Sequence, residues 1–163
     1  MKKYFILLLL IVLFLVSSFV YAVPANNEKF SSKLYLYVNN ANNEPEYIEK
    51  QNIFVSKDNN RTVVDFWITY VYTDDIQKQL DVTDRFELDD DAAKKARYTK
   101  THYKINNVHF WSVITVVLYD ENDNVMTSFT WEMNYEWKDI FPGTYEERVY
   151  NVVWNYLKEQ GKI

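Results

Sequence analysis

Only two residues of the chain are glycine, Gly143 and Gly161, and that scarcity constrains the fold more than any other feature. Tight turns need backbone in the left-handed region, and after glycine the residue that best tolerates it is asparagine. The chain supplies asparagine in pairs: Asn26-Asn27, Asn39-Asn40, Asn42-Asn43, Asn59-Asn60 and Asn106-Asn107. The same scarcity removes whole chemistries. There is no glycine-rich phosphate loop, no dinucleotide fingerprint and no Gly-x-Ser-x-Gly nucleophile elbow.

Between the turn signals, apolar and polar residues alternate with the period of a strand. Lys33 to Val38 is expected to form the first strand, with Leu34, Leu36 and Val38 inward, and Tyr47 to Ser56 a second, less regular one. Arg61 to Tyr72 is the clearest: Val64, Phe66, Ile68, Tyr70 and Tyr72 share one face, while Asp65 and Thr69 interrupt the other. Tyr98 to Ile105 follows with Tyr103 and Ile105 inward. Phe110 to Tyr119 is apolar on both faces, which predicts a central strand covered on both sides. A hairpin loop over Asp120 to Asn124 leads into a return strand, Val125 to Tyr135.

Residues 74–97 break this alternation. They begin acidic and end in a short predicted helix, Ala92 to Arg97, with bases at its C-terminal end as the helix dipole prefers. Thr144 and Glu147 have the spacing of a capping box, so a last helix is expected from there to about Gln160, with Gly161 as its stop. Aromatic residues make up 18% of the chain and suit a pleated, packed surface. The expected class is α+β: an antiparallel meander with a C-terminal helix packed on one face.

The N-terminus has the order of a secretory signal: Lys2 and Lys3, an apolar run from Phe5 to Val16, and a small residue, Ala22, at the exit. Residues 1–22 are therefore expected to be a signal peptide, 23–32 a short tether, and 33–163 a single domain. The competing reading is an uncleaved anchor, since Tyr4 to Ala22 approaches the ~20 residues that span a bilayer. Cleavage leaves roughly 140 residues, enough to bury about two-thirds of the unfolded surface. Losing Lys2 and Lys3 makes the remainder two units more negative than the chain's −5, which argues against general nucleic-acid binding. The chain has no cysteine, so neither a disulfide nor a lipid-bearing cysteine supports it.

Candidate chemistry is sparse. His102 and His109 are seven residues apart on separate segments, and Ser112 would face away from His109, so neither a nucleophilic triad nor a zinc site is expected. Asp120-x-Asn122-x-Asn124 resembles the opening of a calcium loop, but Val125 stands where glycine is needed and Trp131 where the closing glutamate belongs. The charge pattern says more. No acidic residue occurs from Ala92 to Tyr119, while Lys94, Lys95, Arg97, Lys100 and Lys104 fall inside that stretch, interleaved with Tyr98, His102 and Tyr103. Lys100, His102 and Lys104 would project from one face of a strand. Two readings stay open: an edge strand protected by lysines, or a contact site for an acidic partner formed by Lys94, Lys95, Arg97, Tyr98, Lys100 and Lys104. On the last helix, Tyr145, Val149, Val152, Val153 and Tyr156 form the stripe expected to cover the sheet. Tyr150, Trp154 and Leu157 form a second stripe, a candidate self-association surface for a homodimer.

Three segments resemble the surface-adhesin protein E-like domains, a family of small exported bacterial domains. They are Tyr47-Ile48 with Ile53 and Val63-Val64-Asp65-Phe66-Trp67; the hairpin Val117-Leu118-Tyr119-Asp120…Asn124-Val125-Met126-Thr127-Ser128; and Trp137…Ile140-Phe141-Pro142-Gly143-Thr144…Glu147…Val149-Tyr150. Together they span most of residues 47–157. The resemblance implies an exported domain that binds matrix proteins. The family commonly carries two cysteines, at positions matching the neighbourhoods of Ile105-Asn106 and Val153-Trp154; this chain has neither, so that crosslink is missing.

The expected function is an exported, non-enzymatic interaction domain, periplasmic, at the cell surface or secreted, that takes protein or acidic polysaccharide partners. It is expected to need no cofactor, to bind no nucleic acid, and to meet a membrane only through the N-terminal segment if that stays uncleaved. The alternative is a structural or assembly module of the envelope with no host-binding role. Mass spectrometry of protein recovered from the producing cell should find Val23 at the N-terminus; intact Met1 in the membrane fraction would mark the anchor instead.

Overall fold

A computed structural model of the chain describes residues 31, 33–39, 45–130 and 136–163. The expected signal peptide, all of the tether but Ser31, and the far end of the return strand, 131–135, lie outside the described residues. The rest is an α+β unit, as its alternation implies. The strands are β1 (Tyr35–Asn39), β2 (Pro45–Glu49), β3 (Phe54–Asp58), β4 (Arg61–Val71), β5 (Ala96–Asn106), β6 (Phe110–Asp120), β7 (Val125–Thr130) and β8 (Lys138–Asp139). The helices are α1 (Asp75–Leu80), continued by a π turn over Asp81–Arg85, α2 (Asp90–Lys95) and α3 (Tyr145–Glu159). All pairings are antiparallel, in the order β1-β2-β4-β5-β6-β7.

The stretch read as one strand from Tyr47 to Ser56 is two. A short 3-10 turn at Lys50–Asn52 breaks it, and the halves pair with different parts of one edge of β4: β2 opposite Ile68–Tyr70, β3 opposite Arg61–Asp65. The β3–β4 hairpin has a two-residue loop, Asn59-Asn60, with φ of 46° and 66°. Both central residues in the left-handed region match the twist of the flanking strands, and asparagine supplies them where glycine is missing.

Alternation places Val64, Phe66 and Ile68 of β4, Tyr103 and Ile105 of β5, and Val116 and Leu118 of β6 on one face. Against one half of it, α3 packs Val149, Tyr150, Val153 and Leu157. Against the other half lie Val82, Phe86 and Ala93 of the helical excursion. The excursion is helical from its start, where only its end was expected to be. Asp74 caps α1, accepting from the backbone N–H groups of Ile76 (2.7 Å) and Gln77 (3.2 Å), and Asp89 caps α2 through Ala92 N–H at 2.8 Å. α2 ends at Lys95, so Ala96 and Arg97 already belong to β5. α1 buries no residue, and its one apolar pair, Ile76 and Leu80, is exposed in a helix of six residues, too short for period alone to reveal it.

The last helix corrects one expectation. Tyr150 and Leu157, assigned to a self-association stripe, are 5% and 0% exposed inside the domain core. Trp154 stacks on Tyr150 with centroids 5.1 Å apart and packs against the same cluster. The wide apolar arc of α3 is used within the chain, because the helix lies between the strands and the Ile140 segment. Its ends are closed as sequence suggests. Thr144 Oγ1 accepts from Glu147 N–H at 3.3 Å, while Glu147 Oε2 accepts from Gly143 N–H at 2.7 Å, one residue beyond the usual box partner. Gly161, at φ 64°, donates to the Lys158 carbonyl and Lys162 to that of Leu157, a Schellman closure.

Leu157→Ala should cost about 2–5 kcal/mol, the range for a fully buried leucine, and Thr144→Ala about 1 kcal/mol through loss of the cap. Urea unfolding of the two variants checks this ranking.

Candidate functional site

Among the described residues, all three helices pack on the same side of the sheet. The other side is built from the alternate positions of the same strands, and the registers order it into rows. Trp67 lies opposite His102, which lies opposite Thr115; Thr69 opposite Lys100 and Val117; Asp65 opposite Lys104. The Trp67 and His102 rings stack, with centroids 4.9 Å apart and planes 14° off parallel. Two rows over, beyond Thr69 and Lys100, Tyr98 stacks on Tyr119 at 4.7 Å. The Lys100 ammonium lies 6.0 Å and 5.8 Å from the Tyr98 and Tyr119 ring centres, within cation–π range.

The predicted site residues divide between locations. Tyr98, Lys100 and Lys104 come together with His102 on this face. Lys94 and Lys95 sit on α2, over the opposite face, and Lys94 pairs with Asp91 at 2.8 Å. Arg97 is exposed at the register shift between Ala96 and Tyr98. The stretch is not an edge: β5 lies between β4 and β6, so lysines guarding an open strand edge are not its explanation. Nor is the patch free of acid in space. Asp65 Oδ1 stands 3.2 Å from His102 Nε2 and 3.5 Å from Lys104 Nζ, and Asp123 accepts the Tyr98 hydroxyl at 3.1 Å. Burial, helped by Asp123, raises the Tyr98 hydroxyl pKa above its ordinary value, so it stays a hydrogen-bond donor. β6 is interior, but among the described residues no helix covers its second face.

Sequence reasoning passed over the residues that give this face its shape. Trp67 occupies an outward position of β4 between Asp65 and Thr69; a large aromatic there, in phase with polar neighbours, was the available signal. Trp67, Thr69, Lys100 and Tyr119, with Glu49 and Asn52 from the 3-10 turn, line a depression of about 180 Å³. Thr69, small and buried, is its floor. Glu49 is held in place by the side-chain amides of Asn52, at 2.6 Å, and of Gln51.

A second polar cavity, of about 190 Å³, lies on the helix side, between the two apolar clusters. Glu46, on the inward face of β2, accepts the Tyr145 hydroxyl; Tyr103, Thr99, Thr101, Asp81 and Arg85 complete the lining. Tyr72 donates to Asp81 at 3.2 Å. Burial, with nearby carboxylates, raises Tyr145, Tyr103 and Tyr72 well above the ordinary tyrosine value. Tyr145 and Tyr72 donate to Glu46 and Asp81, and all three hydroxyls stay protonated near neutral pH.

The remaining candidates are occupied by structural work. Asp120 Oδ1 accepts from the backbone of Asn122 and Asn124, both at 2.8 Å, so its carboxylate ties the hairpin loop. His109, at φ 63°, makes the β5–β6 turn and packs its ring on Tyr150 at 4.5 Å. No protein-family model, curated protein or solved structure matches this chain.

A raised folded-state pKa contributes stability that is complete below the unfolded value of 10.0 and is lost as pH rises through the titration range above it. Stability should therefore hold to about pH 10 and fall beyond it. Tyr145→Phe should flatten that fall, measured as urea midpoints across alkaline pH.

Proposed function

We propose that the chain is an exported, non-enzymatic interaction domain of the cell envelope or cell surface, and that the sheet face opposite the described helices meets its partner. One observation carries this reading. The sheet places all its described helices on one side and fills the other with two stacked aromatic pairs and the cations Lys100 and Lys104. Rigid aromatic side chains give contact area at low entropic cost, and half-exposed rings beside cations are where interfaces concentrate their energy. The N-terminal charge, apolar run and small exit residue support export. The resemblance to surface-adhesin protein E-like domains points the same way.

The partner is a protein or acidic polysaccharide of the envelope or its surroundings. Lys100 and Lys104 steer it, and salt weakens the approach as the screening length shortens to ~8–10 Å.

Capture of envelope and matrix material by the purified protein should weaken about tenfold or more in Trp67→Ala and in Lys100→Glu, the scale of an interface anchor. Lys94→Glu and Lys95→Glu, on the opposite side, should leave it unchanged. Equal loss in the α2 variants, or none in the face variants, would assign contact elsewhere.

A further inference from the structure

The depression over Thr69 deepens that reading, on which it rests, by naming a ligand class. We propose that it is a subsite for one sugar unit of a glycan whose pyranose rings carry carboxylates, a polyuronate chain.

The first reason is shape. The depression lies in the interior of the sheet, over β4, β5 and β6, where the backbone is already paired. A peptide that adds a strand needs an open edge, and this site offers none. Its walls are flat. Trp67 is held in place by its stack with His102, and Tyr119 by its stack with Tyr98. A pyranose ring presents a disc of C–H groups on one face, and an aromatic ring, negative on its face, receives such a disc without being desolvated of any polar atom. At about 180 Å³ the space is smaller than the ~300 Å³ at which pockets for whole drug-sized ligands begin, and suits a single unit of a chain that continues across the face.

The second reason is the chemistry of the rim. A sugar hydroxyl both donates and accepts, so a sugar site needs fixed groups of both kinds. Glu49 accepts only, and the Asn52 and Gln51 amides hold it in one orientation before any ligand arrives. Asn52 and Thr69 offer both roles. Lys100 donates only.

The third reason is charge. Asp65 is already shared by His102 and Lys104. Lys100 lies over two aromatic faces and, among the described residues, forms no ion pair with an acid. A carboxylate on the sugar ring completes it, with a charge-assisted hydrogen bond in a half-buried setting. A protein that is net negative gains nothing from a polyanion through its overall field, so this local contact must carry the preference.

The test is a titration of the purified protein with a tetrasaccharide of 1,4-linked galacturonate and with the corresponding neutral galactose tetrasaccharide, followed by NMR. The acidic sugar should bind at least about tenfold tighter, the step expected for one charge-assisted contact. Lys100→Met should remove that preference and leave weak binding of both, whereas Trp67→Ala should abolish both. Asn52→Ala, in the 3-10 turn, gives a second reading if Trp67→Ala fails to fold, and should weaken both sugars alike. Equal affinity of the wild type for the two sugars, a preference for the acidic sugar that persists in Lys100→Met, or affinities unchanged in Asn52→Ala would overturn the proposal. So would absence of sugar binding by protein that still captures envelope or matrix material through Trp67 and Lys100; in that case the face remains a contact surface, with a protein as its partner. Capture unaffected by any face variant would instead defeat the wider reading.

Discussion

The packing of α3 on Phe66, Val64 and Ile105 decides which side of the sheet is the inside. Leu157 and Val153 are fully buried by it, and Tyr150 nearly so. Because side chains alternate along a strand, committing Phe66 and Ile68 inward commits Trp67 and Thr69 outward, and a one-residue slip would exchange the two sets. The outward aromatic face is thus a consequence of the same register that makes the core. With no disulfide to hold the helix, that register depends on apolar contact, on the Thr144 and Glu147 cap, and on the Gly161 closure.

The helix side is not uniformly apolar. Glu46, Thr99, Thr101, Tyr103 and Tyr145 form a polar seam between the α3 cluster and the cluster under the 74–95 excursion. The Tyr145–Glu46 hydrogen bond offsets part of the cost of burying the seam, and the seam divides the core into two parts. The smaller part holds the excursion down through Val82, Phe86 and Ala93, few contacts for so long a segment. That segment belongs to the less stable end of the structure.

The regular elements were legible because their signals are local. The alternation in Arg61–Tyr72, the Asn59-Asn60 turn, the Thr144 cap and the Gly161 stop each read correctly from a few residues. What could not be read depends on which distant segments meet. α1 is six residues long, its one apolar pair, Ile76 and Leu80, is exposed, and its clearest signal is the Asp74 cap. The second stripe of α3 was mistaken for a free surface because much of its cover comes from β-strands far away in sequence, with Ile140 just before the helix. The basic stretch looked continuous along the chain, yet a helix end and a register shift send Lys94 and Lys95 to one side and Lys100 to the other. Asp65, thirty-odd residues away in sequence, then sits beside Lys104. Trp67 was overlooked because a single aromatic among alternating residues gains meaning only when β5 sets His102 beside it.

Among the described residues, helices cover one face of the sheet and leave the other uncovered. Adding a soluble paramagnetic relaxation agent to the isotope-labelled protein measures this directly, residue by residue. The Trp67 indole and the His102, Lys100 and Tyr119 side chains should broaden strongly, while Phe66, Ile105, Val153 and Leu157 stay sharp. If Trp67 and Lys100 prove as protected as Phe66, something covers that face in the free protein, and it cannot be where a partner docks.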